Sequence, residues 1–248
     1  MRAKTFLKAA ACAAIFSALI LQSGCFNFGF GGTTRGNGRM VSGAFSHDGV
    51  ITKINLIGMP AILNLTPESS NELTYIIDEN LKDLIEITHR NGVLTISTRN
   101  NVTIIGNGIT FNIGTDRLEG ILINGATTID GRGTFNADSF TLEVNGAGGA
   151  ELELDAGSVS VVVNGAARID LSGTADSLSI NNNGAAIITA RRLIAQDAAV
   201  TLNGAGSVQV HAERTLNASV AGVGSVTYWG SPALTRSVAG LGAIRRGE

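Results

Sequence analysis

Residues 145–185 read NGAGGAELELDAGSVSVVVNGAARIDLSGTADSLSINNNGA, a stretch in which Asn-Gly-Ala recurs every 19 residues. Outward from it, the same marker stands at Asn124-Gly125-Ala126 and Asn203-Gly204-Ala205, and relaxed copies follow at Ala221-Gly222-Val223 and Ala239-Gly240-Leu241. The marker glycines Gly125, Gly146, Gly165, Gly184, Gly204, Gly222 and Gly240 are separated by 21, 19, 19, 20, 18 and 18 residues. A near-constant period of this length is a solenoid signature.

Alignment on the glycine produces columns. Four residues after it stand Ile129, Ala150, Ile169, Ile188, Val208, Val226 and Ile244; two before it stand Ile123, Val144, Val163, Asn182, Leu202, Val220 and Val238. Five after it the column turns polar, with Asp130, Glu151, Asp170, Thr189, Gln209, Thr227 and Arg245. Apolar and polar positions therefore alternate with period two, as strands require. At about 3.3 Å of rise per residue, a 19-residue coil makes two or three short strands joined by tight turns. The expected fold is all-β: a single-domain β-helix with repeats of about 18–21 residues.

Asn-Gly has its own turn mechanism, because glycine accepts positive φ and asparagine accepts left-handed geometry better than most residues. Independent hairpins are the competing reading, but column-by-column matching at one offset fits stacked coils better. Asn124, Asn145, Asn164, Asn183 and Asn203 are then expected to form a hydrogen-bonded ladder at a corner, beside Gly125, Gly146, Gly165, Gly184 and Gly204.

Composition agrees with this reading. The 248 residues include 32 glycines and only three prolines, with 5% aromatic, 15% charged and 44% hydrophobic residues. Many tight turns and small inward side chains follow, and disorder, which needs high charge and few hydrophobes, is disfavoured.

Residues 41–120 lack the marker. Strand-like runs occur at 50–57, 61–65, 73–77, 84–88 and 93–97, with loops expected at 68–71 and 78–82 and a true hairpin turn at Arg90-Asn91-Gly92. These irregular opening coils are expected to cap the regular repeats of 121–248, since an open sheet end invites aggregation.

The N-terminus carries an address. Arg2, Lys4 and Lys8 precede an apolar run from Ala9 to Leu21, and Ser23 and Gly24 precede Cys25. This is a secretory signal pattern over residues 1–24, its apolar run too short to span a bilayer, which takes about 20 residues. Leu21-Gln22-Ser23-Gly24-Cys25 resembles a lipobox, with Gln22 where an apolar residue is usual. Cys25 is therefore the expected lipidation site and lipid the link to a membrane; plain cleavage is the alternative. Cys12 falls within the signal, so the mature chain holds one cysteine and no disulfide framework. Glycine-rich residues 25–40 read as a flexible tether. Phe26 is not the aspartate associated with inner-membrane retention in enteric bacteria, so the expected address is the outer membrane.

Chemistry is harder to find. The formal charge of −2 includes three signal-segment cations, and removing residues 1–24, which hold no acid, leaves −5. That balance, without clustered cations, disfavours nucleic acid. Asp130, Glu151 and Asp170 share a column and could stack about 5 Å apart, close enough for a glycosidase pair or a calcium site. The column continues as Thr189 and Gln209, and no basic clamp accompanies it, so a solvated acidic face is the preferred reading. His47, His89 and His211 lie in different contexts and are expected at surface or loop positions. Neither a nucleophile elbow nor a phosphate-binding loop is present. No catalytic residue, metal site or cofactor is assigned.

Ser42-Gly43-Ala44-Phe45, the ending Tyr228-Trp229-Gly230-Ser231-Pro232 and the following Gly240-Leu241-Gly242-Ala243-Ile244 resemble the head GIN domain family, described as adhesin heads of autotransporters. The resemblance covers about residues 41–248. It implies a β-helical envelope protein, often with a lipoprotein-type signal. An autotransporter needs a C-terminal membrane barrel, and no such segment follows the repeats here, so the expected anchor is lipid. The functional expectation is a non-catalytic envelope lipoprotein with an adhesin-like binding surface for a glycan or an envelope protein. A structural or stress-linked envelope protein without a ligand is the alternative, and a polysaccharide-active enzyme stands third, because Trp229 is the only tryptophan for sugar stacking.

Overall fold

The computed structural model describes residues 31–106 and 108–248. Their strands, in chain order, are β1 (Gly31–Arg35), β2 (Met40–Ser46), β3 (Lys53–Thr66), β4 (Glu72–Asp78), β5 (Ile85–Arg90), β6 (Val93–Thr98), β7 (Val102–Ile105), β8 (Thr110–Gly114), β9 (Gly120–Val144), β10 (Ala147–Val163), β11 (Ala166–Asn182), β12 (Ala185–Leu202), β13 (Ala205–Val220), β14 (Val223–Trp229), β15 (Ala233–Val238) and β16 (Leu241–Arg246). They form a β-solenoid of about six turns.

From β9 to β13 each strand is nearly a whole coil, bent at its corners and paired in parallel with the next, and the shorter β14, β15 and β16 continue the stack, β14 and β15 on β13 and β16 on β14. Ala147 lies against Ala166, Ile169 against Ile188, Val200 against Ala218 and Val226 against Ile244. Each coil has three faces, illustrated by β10: a first over Ala147–Glu151, a second over Glu153–Ala156 and a third over Ser158–Val163. The alternating columns point inward, and Ile129, Leu154, Val161, Ile188 and Val220 are all but inaccessible. The uneven marker spacing is absorbed around the second face. Between β9 and β10 the register slips where Gly131-Arg132-Gly133 stand opposite the single Leu152, whereas the first and third faces keep their pairing.

The marker glycine has a different purpose from the one expected. None of the seven lies among the described residues with positive φ, nor do the marker asparagines. Instead, a Cβ on Gly165, Gly184, Gly204 or Gly222 would stand 1.8–1.9 Å from the carbonyl oxygen of the preceding marker glycine. Backbones at this corner approach too closely for any side chain, and the ladder of Ala166 N–H to Gly146 C=O (2.9 Å) and Ala185 N–H to Gly165 C=O (2.9 Å) runs through it.

The opening part is irregular. β3 lies parallel on β9 across both its halves, and β6 and β8 lie parallel on those halves in turn. Antiparallel strands then close the end: β4 on β8, β2 on β4, and β5 on β6. The β5–β6 connection is the two-residue Asn91-Gly92 turn, with φ of 52° and 78°, as a type I′ hairpin requires. Residues 79–84, part of which was expected to be loop, form a 3-10 helix whose Leu81 seals the core.

Residues 31–40 differ from the flexible tether expected of them. β1 pairs in parallel with β7, Gly38 N–H donates to Asp78 Oδ1 (2.6 Å), and Asn37 N–H donates to Asn80 Oδ1 (2.9 Å). Backbone pairing needs no apolar period, which is why no pattern announced it. Residues 1–30, including Cys25 and the rest of the tether segment, lie outside the described residues.

Candidate functional site

The three faces carry three chemistries. Outward on the third face stand hydroxyls in register: Ser139, Ser158 and Ser177 in one column, and Thr141, Ser160 and Ser179 in the next. Its border is the asparagine corner. Asn164 Nδ2 donates to Asn145 Oδ1 (2.8 Å), Asn183 to Asn164 (3.0 Å) and Asn203 to Asn183 (3.0 Å), while Asn145 donates to Glu143 Oε1 (2.9 Å). Asn124 stands outside this chain of bonds, opposite Ile57 of β3. Where the apolar column admits Asn182, the side chain is fully buried and satisfied, accepting from Gly184 N–H (3.1 Å) and donating to Ala205 C=O (3.2 Å).

The second face is charged and internally paired. Glu153 accepts from Thr134 (2.7 Å) and Asp155 from Thr174 (2.6 Å). Asp197, which continues the Ser139–Ser177 column of the third face, accepts from Thr215 (2.6 Å) and Arg214. The Arg214 guanidinium and Thr215 hydroxyl hold the Asp197 carboxyl down to about 2.

The first face is mostly small and apolar, with alanines at 126, 147, 166, 185 and 205 facing outward, and a shallow groove of about 920 Å³ along its early coils. Asp130, Glu151 and Asp170 line one side of this groove in register. Asp130 pairs with Arg132 (3.5 Å) and Asp170 with Arg192 (3.0 Å). Among the described residues, no three histidine, cysteine or acidic side chains converge on a metal-sized site.

The histidines are not all peripheral as expected. His47 is buried and its ring packs edge-on against His89 at 4.9 Å, although 42 positions separate them. Its Nδ1 lies 3.1 Å from Gly49 C=O. Burial, opposed by that bond, lowers its pKa, and His89 pushes in the same direction. His211 lies 2.8 Å from Glu213. Trp229 is also committed: the Arg191 guanidinium sits 4.5 Å above its ring and its Nε1 donates to Glu248 C=O (3.2 Å). Sequence reading missed this clamp because Arg191 and Trp229 are 38 positions apart in differently indexed coils.

Residues 52–232 match the family described as "Putative auto-transporter adhesin, head GIN domain". The chain belongs to this family. Several solved structures share its fold. A "putative adhesin" from Bacteroides fragilis is 22% identical, with a TM-score of 0.79 over 86% of this chain and 99% of its own. A "putative lipid binding protein" from Parabacteroides distasonis is 21% identical, with a TM-score of 0.69 over 87% and 100%. A "putative adhesin" from Parabacteroides merdae is 19% identical, with a TM-score of 0.59 over 87% and 99%. A search of curated proteins finds no match. At these identities the likeness to solved structures is one of fold. No helix among the described residues is long and apolar enough to cross a membrane.

Proposed function

We propose that this head GIN protein is a non-catalytic cell-envelope lipoprotein, anchored through a diacylglyceryl group on Cys25, whose solenoid presents an adhesin-like binding surface. The observation that carries the binding reading is the third face, whose serine and threonine hydroxyls stand in register across β9 to β11 with an amide ladder along their edge. Such a surface offers repeated donors and acceptors about 4.8 Å apart, the chemistry that recognises a glycan chain or an extended envelope protein. Family membership and fold support an adhesin-like role, and the signal with its cysteine supports the envelope address.

Two measurements test it. Intact mass and membrane fractionation of wild type against Cys25→Ala should show loss of a diacylglyceryl-sized mass and release of the variant into the soluble fraction; a soluble, unlipidated wild type refutes the anchor. For the surface, Ser160→Arg/Ser179→Arg should weaken binding to the host's envelope polysaccharides at least tenfold with the fold unchanged by circular dichroism. Equal binding by both proteins removes the third face from the proposal.

A further inference from the structure

His47 and His89 are brought together by the opening strands, and the proposed function leaves them unused. His47 follows β2 and begins the connection of residues 47–52 to β3, while His89 lies on β5. Backbone bonds already tie the two segments, since Thr52 and Lys53 N–H both donate to Gly92 C=O (2.8 and 3.0 Å) in the β5–β6 turn. The pair has the features of metal ligands. Gly49 C=O can only accept, so its 3.1 Å contact makes His47 Nδ1 the protonated nitrogen and leaves Nε2 of the neutral ring a free lone pair. A backbone carbonyl on the far nitrogen is the usual group that orients a metal-ligating imidazole. Burial lowers the His47 pKa and so holds the ring in this neutral form near neutral pH. His89 Nε2 is buried with no hydrogen-bond partner, and a buried nitrogen in that condition needs an explanation. Spacing supplies one. A zinc–nitrogen bond of about 2.1 Å, with about 1.1 Å from nitrogen to ring centre, sets two imidazoles on one tetrahedral ion about 5 Å apart. The His47 and His89 ring centres stand 4.9 Å apart, with the rings inclined at 62°.

We propose that His47 and His89 bind a divalent transition-type cation, Zn²⁺ or an ion of like preference, through their Nε2 atoms, with water completing the coordination. Imidazole nitrogens select Zn²⁺, Cu²⁺ or Ni²⁺ over Ca²⁺ and Mg²⁺, which take oxygen ligands. The Asp48 carboxylate acts on His47 through space and favours a cation beside it. With two protein nitrogens the site is open to solvent and weaker than a closed structural zinc centre. A bound ion staples the connection of residues 47–52 to the β5–β6 hairpin and tightens the end cap of the solenoid, because metal affinity for the folded chain adds to its stability. The site rests on the opening strands and is independent of the third face and of the anchor.

The test uses the exported full chain, without a polyhistidine tag and without its native thiols (Cys12→Ala, Cys25→Ala), melted in metal-free buffer at pH 7.5. Zn²⁺ at about 0.2 mM should raise the melting temperature by about 3 °C or more, the shift for a ligand at roughly tenfold its Kd, and Ca²⁺ at the same concentration should not. His47→Gln and His89→Gln should each abolish the shift, whereas His211→Gln, at the contact with Glu213, should leave it. Circular dichroism without metal checks the fold of each variant; should the buried His47→Gln fail to fold, His89→Gln on β5 decides. The proposal is overturned by the absence of a shift with Zn²⁺, by an equal shift with Ca²⁺, by a shift that either folded variant of the pair leaves intact, or by one that His211→Gln also removes.

Discussion

The regular coils and the opening part solve the same problem, burying an apolar interior between stacked strands, by opposite means. In the coils one register repeats. Inward side chains shrink from Phe135 and Phe140 in β9 to Ala186, Ala190, Ala195, Ala198 and Ala212 in β12 and β13, and the Asn-Gly corner brings backbones into direct contact. In the opening part no register repeats; bulky Phe111, Leu63, Leu65, Met59 and Leu81 fill the end of the stack beneath antiparallel strands. Repetition thus makes backbone proximity the constraint, and irregularity makes side-chain volume the constraint.

That contrast can be broken at its strongest points. Phe111→Ala should cost about 3–5 kcal/mol, because the site is fully buried and the rigid end of the stack cannot collapse around the cavity; urea unfolding checks it, and a cost below about 1 kcal/mol would deny the volume rule. Gly165→Ala should cost about 3 kcal/mol despite adding one methyl, because its Cβ would meet the Gly146 carbonyl oxygen at 1.8 Å. Gly149→Ala is the matched control: its nearest contact is 3.6 Å away, and its effect should stay within about 0.5 kcal/mol. Equal effects at the two glycines would sink the close-approach account.

Smaller effects sharpen the comparison. Asn164→Ala removes two amide bonds of the ladder and should cost about 1 kcal/mol, or about 2–4 °C in melting temperature, whereas Asn124→Ala, opposite the opening part, should cost less. At the opening end, His47 faces His89 and Asp48. Its pKa lies below the ordinary imidazole value of about 6.5, so the unfolded chain binds more protons in the window beneath it. Stability is therefore full above about pH 6.5 and falls as pH drops toward the folded value. Melting curves at pH 7.5 and pH 5 should show the decrease, and His47→Gln, which keeps a donor for Gly49, should reduce it; an undiminished decrease assigns the effect elsewhere.

The repeat, the inward columns, the hairpin at Asn91-Gly92 and the family were legible in the residue order, because period and turn chemistry are local properties that each coil states again. Asn182 broke an apolar column, and only the buried bonds to Gly184 and Ala205 explain it. The acidic column was visible as well, but its ion pairs with Arg132 and Arg192 were not, since those arginines sit where the register slips.

By itself the sequence determined the class of fold, the period of the coil and which side of each strand faces inward. Tertiary structure alone decided why the marker must be glycine, that residues 31–38 dock on the opening strands, that His47 meets His89, and that Arg191 covers Trp229. It also decided which outward columns share a face, because that depends on where the corners fall. The physical reason is the same throughout: alternation and turns are set by neighbours along the chain, whereas close approach, desolvation and the chemistry of a face are set by groups that meet only when the coils stack.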